Sequence, residues 1–342
     1  MKRYPDFSQF LKVLKREGKP TYLPFYEHYA SSGFIAQHTE TQFDKMSMSD
    51  TGYWNIYVDF WLSLGFDCIP MEIPLNCSLS NVDTHGKSYS SEAYTIIKNR
   101  NDFENYPWPD IADPINFKHF ETVAKLIPSN IKIVGGVACG PYEWVSAMLG
   151  VMGLSYAIVD DPELVKDMFC KIGLLIQSAI RQLASMDAIG ALRQGDDLGF
   201  KTSTFFSPEQ LHKYIFPIYK NMAEESHKQG KPFILHSCGN LQEVYDILIE
   251  YCKIDAKHSF EDMIMPVEQF KQKYGNKITP LGGLDVDVIC RSNEKEIRHY
   301  TRNIIEKCFY DGYWALGTGN SLTDYMPIEN YLLVIDEGTK TL

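Results

Sequence analysis

The feature that most limits what this chain can fold into is a repeat of short apolar runs separated by amphipathic stretches. The runs are Thr21–Tyr26, Cys68–Ile73, Lys132–Gly140, Ala188–Gln194, the stretch opening at Pro232, Asp255–Phe260, Lys277–Leu284 and Tyr313–Leu316. Most lead into a segment with helical spacing. Strands covered on both faces and joined by crossover helices form a parallel sheet, and eight of them predict an α/β fold: a single (β/α)8 TIM barrel. The competing arrangement, an open doubly wound sheet, is weakened because no Gly-x-Gly-x-x-Gly follows the first run. Ahead of that run, Phe7, Phe10, Leu11 and Leu14 repeat at helical spacing and Gly18 ends the pattern, so the barrel carries an N-terminal helical extension.

Local signals mark the helices. Asp161-Pro162 is an N-cap followed by proline at the first helical position, opening a helix to about Met186. Ser207-Pro208-Glu209-Gln210 is a capping box for a helix expected to reach Gln229. Further helices are expected over Leu241–Tyr251, Val267–Tyr274 and Glu294–Tyr310, with a closing helix from Pro327. Asn101–Pro114 contains Pro107, Pro109 and Pro114 and reads as a stiff loop. No change in composition accompanies it, so residues 1–342 are expected to form one domain.

A length of 342 residues suits such a barrel, and 44% hydrophobic with 23% charged residues describes a soluble globular protein. The net charge of −11 argues against nucleic acid or an anionic membrane as the main partner. The start, Met1-Lys2-Arg3-Tyr4-Pro5-Asp6-Phe7, lacks the apolar core of a signal peptide, and no apolar run reaches the ~18 residues of a membrane span. Eight dispersed cysteines suit reduced thiols in a cytoplasm better than a disulfide framework.

In a barrel, chemistry gathers where strands end. The polar residues at those ends are Glu27 and His28, Glu72, Tyr142 and Glu143, Asp196 and Asp197, His236 and Cys238, His258 and Glu261, Asp285, and Thr318 with Asn320. Taken singly, each reads as a helix cap, a turn residue or a solvated side chain; together they make a ring around one mouth. Period-two alternation puts Ile234, His236 and Cys238 on one face of their strand, so two soft metal ligands stand side by side at its carboxyl end. A catalytic zinc takes three protein ligands. No second cysteine stands at a strand end, which leaves an oxygen from Glu72, Glu261 or Asp285 as the available third. Of the adjacent carboxylates Asp196 and Asp197, one is expected to meet the substrate while the other caps or braces.

Several stretches, in order, resemble the uroporphyrinogen decarboxylase superfamily: Gly140-Pro141, Asp161-Pro162-Glu163, Asp196-Asp197-Leu198-Gly199, Ser207-Pro208-Glu209, His236-Ser237-Cys238-Gly239, Gly283-Leu284-Asp285 and Pro327-Ile328-Glu329-Asn330. The superfamily fold is a (β/α)8 barrel, in agreement with the strand count. The decarboxylase branch meets its many-carboxylate porphyrinogen with arginines beyond the first strand. Here Leu23–Tyr29 has none, and between Arg16 and Arg100 only Lys19, Lys45, Lys87 and Lys98 are cationic. The branch that moves methyl groups between methylcobalamin and coenzyme M holds zinc with His-x-Cys and a later cysteine, and the zinc holds an acceptor thiol as thiolate. His236 and Cys238 match the first two ligands; Thr318 stands where the later cysteine is expected.

The resemblance thus implies a methyltransferase with zinc at His236 and Cys238. A corrinoid, on its own or on a partner corrinoid protein, would be co-substrate, and the acceptor would be a small molecule. Glu72, Asp197 and Asn320 are the catalytic candidates, and Tyr142, Asp196 and Gly319 the cofactor-binding ones. Metal-free decarboxylation of a porphyrinogen or another small acid is the alternative, and a barrel that only binds a corrinoid or tetrapyrrole is the third.

Overall fold

The computed structural model describes residues 4–78 and 95–341. Met1–Arg3 and Lys87, noted above for their charge, lie outside the described residues. The sheet has six parallel strands in sequence order: β1 (Cys68–Pro74), β2 (Lys132–Ala138), β3 (Ile189–Gly195), β4 (Phe233–His236), β5 (Ala256–His258) and β6 (Thr279–Pro280). The first and last of the eight runs appear as single parallel bridges. Leu281 pairs with Ala315, Leu284 with Thr318, and Phe25 with Leu316. These extend the order past β6 through residues 315–318 to Phe25. The Tyr22 hydroxyl then donates to Asp67, just ahead of β1, at 2.6 Å, which brings the two ends of the sheet together. Pro24 has no N–H to give to a ladder, one reason the first run does not extend as a strand.

One apolar cluster explains why the barrel is filled at one end and chemically rich at the other. Tyr26, Cys68, Val134, Ala191, Ile234, Ala256, Leu281 and Ala315, one from each of the eight runs, are buried together against Phe7, Phe10, Val13 and Leu14. The latter four are the apolar stripe of the helix Phe7–Lys15, which Asp6 caps by accepting the Ser8 N–H. Small side chains at 191, 256 and 315 leave room for Phe10, which stacks on Tyr26 with 5.6 Å between ring centroids. Each fully buried aromatic or leucine of this kind contributes about 1.5–3 kcal/mol. The extension is therefore the plug of the N-terminal end of the barrel, and the polar interior lies beyond it, towards the strand carboxyl ends. The partner apolar cluster fills the layer between the sheet and the surrounding helices.

Three expected elements differ. The helix from Ser207 stops at Tyr214 and resumes over Phe216–Lys228, because Pro217 carries no N–H to continue the ladder. The helix expected from Leu241 is confined to Tyr245–Glu250. The proline-rich stretch begins with a short helix, Arg100–Asn105, capped by Asn99. Among the described residues no single helix is long and apolar enough to cross a membrane.

Candidate active site

Strand register builds the site. Gly195, His236 and His258 are level with one another across β3, β4 and β5. Alternation holds as expected: Ile234 joins the interior plug, while Phe233 and Leu235 face the helices. His236 stacks on His28 with 3.9 Å between ring centroids and 17° between planes. Its Nδ1 lies 2.7 Å from Nδ1 of His258, whose Nε2 is 3.1 Å from the carbonyl oxygen of Thr318. Burial is the first cause that pushes all three imidazoles below the usual histidine range, His258 to about 3, so they are neutral at pH 7.

On the other side of His236 the second half of the site assembles. Its Nε2 lies 3.5 Å from Sγ of Cys238 and 3.7 Å from Oδ1 of Asp197. Asp197 also accepts the backbone N–H of Cys238 at 2.8 Å. Asn320 directs its amide N–H to the same sulfur at 3.4 Å, and the Ser259 hydroxyl lies 3.5 Å from it. Burial, then the charge of Asp197, pushes the Cys238 thiol up to about 12. Among the described residues two groups bring their potential ligand atoms within 4.8 Å of one another: Asp197, His236 and Cys238 in one, and the three histidines 28, 236 and 258 in the other.

The mixed set fits zinc. Nitrogen, sulfur and oxygen donors about 2.0–2.3 Å from a tetrahedral ion lie roughly 3.3–3.7 Å apart, which is the spacing around His236 Nε2. A thiol pushed this high also needs a nearby cation to ionise at neutral pH. The carboxylate oxygen beside His236 and Cys238 is that of Asp197, and the three considered from sequence are engaged elsewhere. Glu72 is turned to Arg193 and His28, at 3.3 and 3.4 Å. Glu261 accepts the Gly239 N–H, and Asp285 caps the helix Val286–Arg291. Thr318 donates its hydroxyl to Glu27 at 2.6 Å and does not present it to the thiol.

The remaining candidates divide. Asp196 is wholly buried and spent on the fold: its oxygens accept the N–H groups of Tyr142 and Glu143 and the Tyr219 hydroxyl, at 3.1, 3.0 and 2.7 Å. Burial lifts it to about 7. It braces the first turn of the helix Pro141–Leu149, and Asp197 is the member of the pair beside the thiol. Tyr142 lies in that same turn, stacked on Phe205. Gly319 is fixed by close approach, since a Cβ there would fall 2.0 Å from the Phe260 carbonyl oxygen. With Asn320 it lines a cavity of about 600 Å³ that also takes in Phe260, Glu261, Asp285 and Tyr325. Asn320 therefore touches both the sulfur and the cavity.

A family model described as uroporphyrinogen decarboxylase (URO-D) matches residues 74–340. The chain belongs to the URO-D family. Among solved structures, a methyltransferase from Methanosarcina mazei covers 98% of this chain and 99% of its own, with 12% identity and a TM-score of 0.69. A structure provisionally described as a vitamin-B12-independent methionine synthase from Listeria monocytogenes covers 94% and 98%, with 15% identity and a TM-score of 0.48. At 12% identity the likeness to the Methanosarcina protein is one of fold. No curated protein matches the chain.

Two cations of this URO-D barrel were not singled out from sequence. Arg193, 1% exposed, reaches Glu72 and donates to the carbonyl of His28. Lys257 donates to the carbonyls of Ser237 and Ser259, and lies 4.4 Å from the Phe260 ring centroid. It thereby clamps the two turns that carry Cys238 and the Ser259 hydroxyl. The available signal was a charged residue inside an apolar run, which a strand buried on both faces does not tolerate without a dedicated partner.

Proposed function

We propose that this URO-D family member is a zinc-dependent methyltransferase that moves a methyl group between a corrinoid and a small thiol. The observation that carries the reading is the convergence of Asp197, His236 and Cys238 on one point at the strand carboxyl ends. Zinc held by these three residues would supply Lewis acidity, lowering the pKa of an acceptor thiol so that it is a thiolate at neutral pH. The chain's own groups do the rest. Asp197 fixes the turn that aims Cys238, Asn320 directs an amide hydrogen at its sulfur, and the Ser259 hydroxyl beside it could donate to a thiolate there. The adjoining cavity offers room for a small acceptor against Phe260 and Tyr325. The methyl donor would approach from the mouth, free or on a partner corrinoid protein.

Porphyrinogen decarboxylation is less well supported. Arg193 is buried and already engaged, and the cations that line the cavity, Lys201 and Arg291, stand among Glu261, Asp285 and Asp287. A many-carboxylate substrate would meet mixed charge there. All eight cysteines are free, which supports a cytoplasmic setting. The test is demethylation of methylcobalamin by zinc-loaded protein with a panel of small thiols, followed by the corrinoid spectrum. Thiol-dependent demethylation abolished by a chelator is the expected result. Chelator-insensitive turnover of uroporphyrinogen, with no demethylation, would overturn the reading.

A further inference from the structure

We propose that the helix Val151–Asp160 is a self-association element that seats in an apolar groove on a second copy of this chain. The groove lies between the helix Pro162–Ser185 and the interrupted pair Pro208–Tyr214 and Phe216–Lys228, and two copies related by a two-fold axis fill both grooves. The inference goes beyond the methyl-transfer reading and does not rest on it.

The helix is not accounted for by its own fold. Its ten residues, Val151 to Asp160, include no charged side chain before the last. A helix that is apolar all round belongs in a core. Here Leu154 alone is buried, and Val151, Tyr156 and Val159 are exposed, the last two by 62% and 78%. Together with Ser155 and Asp160, also exposed, they share one face at spacings i, i+4, i+5, i+8 and i+9. The helix bends away from Pro141–Leu149 by 92° and packs against the start of its neighbours rather than into the barrel. A helix this short is marginal in water and takes its stability from the face it buries. Nothing lies within 4 Å of where a Cβ would stand at Gly153, so another chain can come close to the backbone there.

A matching concavity is present on the same chain. Pro217 interrupts the helical run, and beside the break a groove of about 300 Å³ opens against Pro162–Ser185. Phe169, Leu174, Tyr214 and Ile218 line it. Gly173 brings its two sides together, since a Cβ there would lie 2.8 Å from the Ile218 side chain. The charged residues that line it are both lysines, Lys166 and Lys213, in a chain of net charge −11. Lys166 lies 3.4 Å from Glu163 on its own helix, and Lys213 stands 4.8 Å from the Tyr214 ring centroid and forms no ion pair among the described residues.

Shape and charge select the occupant. A convex helix face is not covered by a small ligand, and an anionic bilayer is disfavoured because the helix carries no Lys or Arg. Its partner must offer an apolar concavity with a positive group for Asp160, and the groove offers both. Helix and groove flank the same element, Pro162–Ser185, so a two-fold axis satisfies both contacts at once and closes the pair instead of propagating a filament. One helix in one groove is small against the ~1,200–2,000 Å² of a specific interface, and reciprocity doubles it.

The experiment is sedimentation velocity of the full chain from about 1 to 100 µM, the range in which a modest interface associates. A concentration-dependent monomer–dimer equilibrium is expected. Val159→Glu on the helix and Leu174→Glu in the groove, both at exposed positions, should each weaken it about 30-fold or more, the scale of a lost hot spot. Asp160→Lys should also weaken it, and adding Lys166→Glu and Lys213→Glu to the same chain should restore it. Should a variant lose its native circular dichroism, hydrogen exchange of the wild type decides: 151–160 and 169–177 should both gain protection as concentration rises. A wild type that stays monomeric throughout would overturn the inference. So would a dimer indifferent to both glutamate substitutions, or one broken by Val159→Glu alone, which would seat the helix on some other surface.

Discussion

Asp197 accepts the backbone N–H of Cys238 at 2.8 Å, and the same oxygen stands 3.7 Å from Nε2 of His236. One carboxylate therefore sets the turn that carries the thiol and, in the proposed zinc site, would complete the donor set around it. Asp197→Ala removes both functions and should weaken zinc binding by about 100-fold or more, since outer partners alone are worth about 10–100-fold. Asp197→Asn keeps an acceptor for the N–H and should fall between. Chelator competition measures both, and wild-type affinity in the alanine variant would take Asp197 out of the donor set.

Asn320 contacts the Cys238 sulfur but contributes no ligand atom. Asn320→Ala should leave zinc content unchanged and lower kcat/KM for methyl transfer about tenfold or more, the scale of a hydrogen bond to a charged group. Loss of zinc in this variant would show that its role is in holding the metal.

Asp196 is a structural carboxylate, and its replacement should separate stability from metal binding. Asp196→Ala leaves the Tyr142 and Glu143 N–H groups and the Tyr219 hydroxyl without their acceptor. Each buried orphan costs about 1–3 kcal/mol, so unfolding in urea should show a loss of about 3 kcal/mol or more, with zinc affinity little changed. A variant as stable as wild type would return Asp196 to the list of ligand-facing residues.

The barrel was legible because a strand buried on both faces writes itself as an unbroken apolar run, and eight such runs survive any error at their ends. What failed locally was where a backbone donor is missing, as at Pro217, or where turns replace helix, as at 241–244. His236 and Cys238 were legible for the same reason, since period two places them side by side. Their surroundings were not. Asp197 reaches Cys238 through a loop contact 41 residues apart, and His258 reaches Glu27 through Thr318 across almost the whole chain. Neither relationship leaves a spacing in the sequence. Thr318 was noticed as a missing ligand, and its backbone task could not be read from its identity.

Glu27 should contribute a stability that falls as pH rises from 5 to 8. Burial pushes this carboxyl up to about 8 from an ordinary 4.5. The folded chain keeps a proton that the unfolded chain gives up, so the contribution is whole below about pH 4.5 and is lost as pH climbs through 8. Asp196 and Glu143, at about 7 and 8, act in the same direction. The three buried histidines act oppositely, losing stability as pH falls below 6.5. Glu27→Gln stays neutral and should flatten the fall in melting temperature between pH 5 and 8. An unchanged slope would mean that Glu27 ionises normally in the fold.

The most direct measurement is elemental analysis of protein purified without chelator, run beside Cys238→Ser and His236→Ala. About one zinc per wild-type chain is expected, falling to a small fraction in both variants while their circular dichroism stays native. Wild-type protein that remains free of zinc after incubation with excess metal and dialysis, or variants that retain it in full, would contradict a metal centre at Asp197, His236 and Cys238.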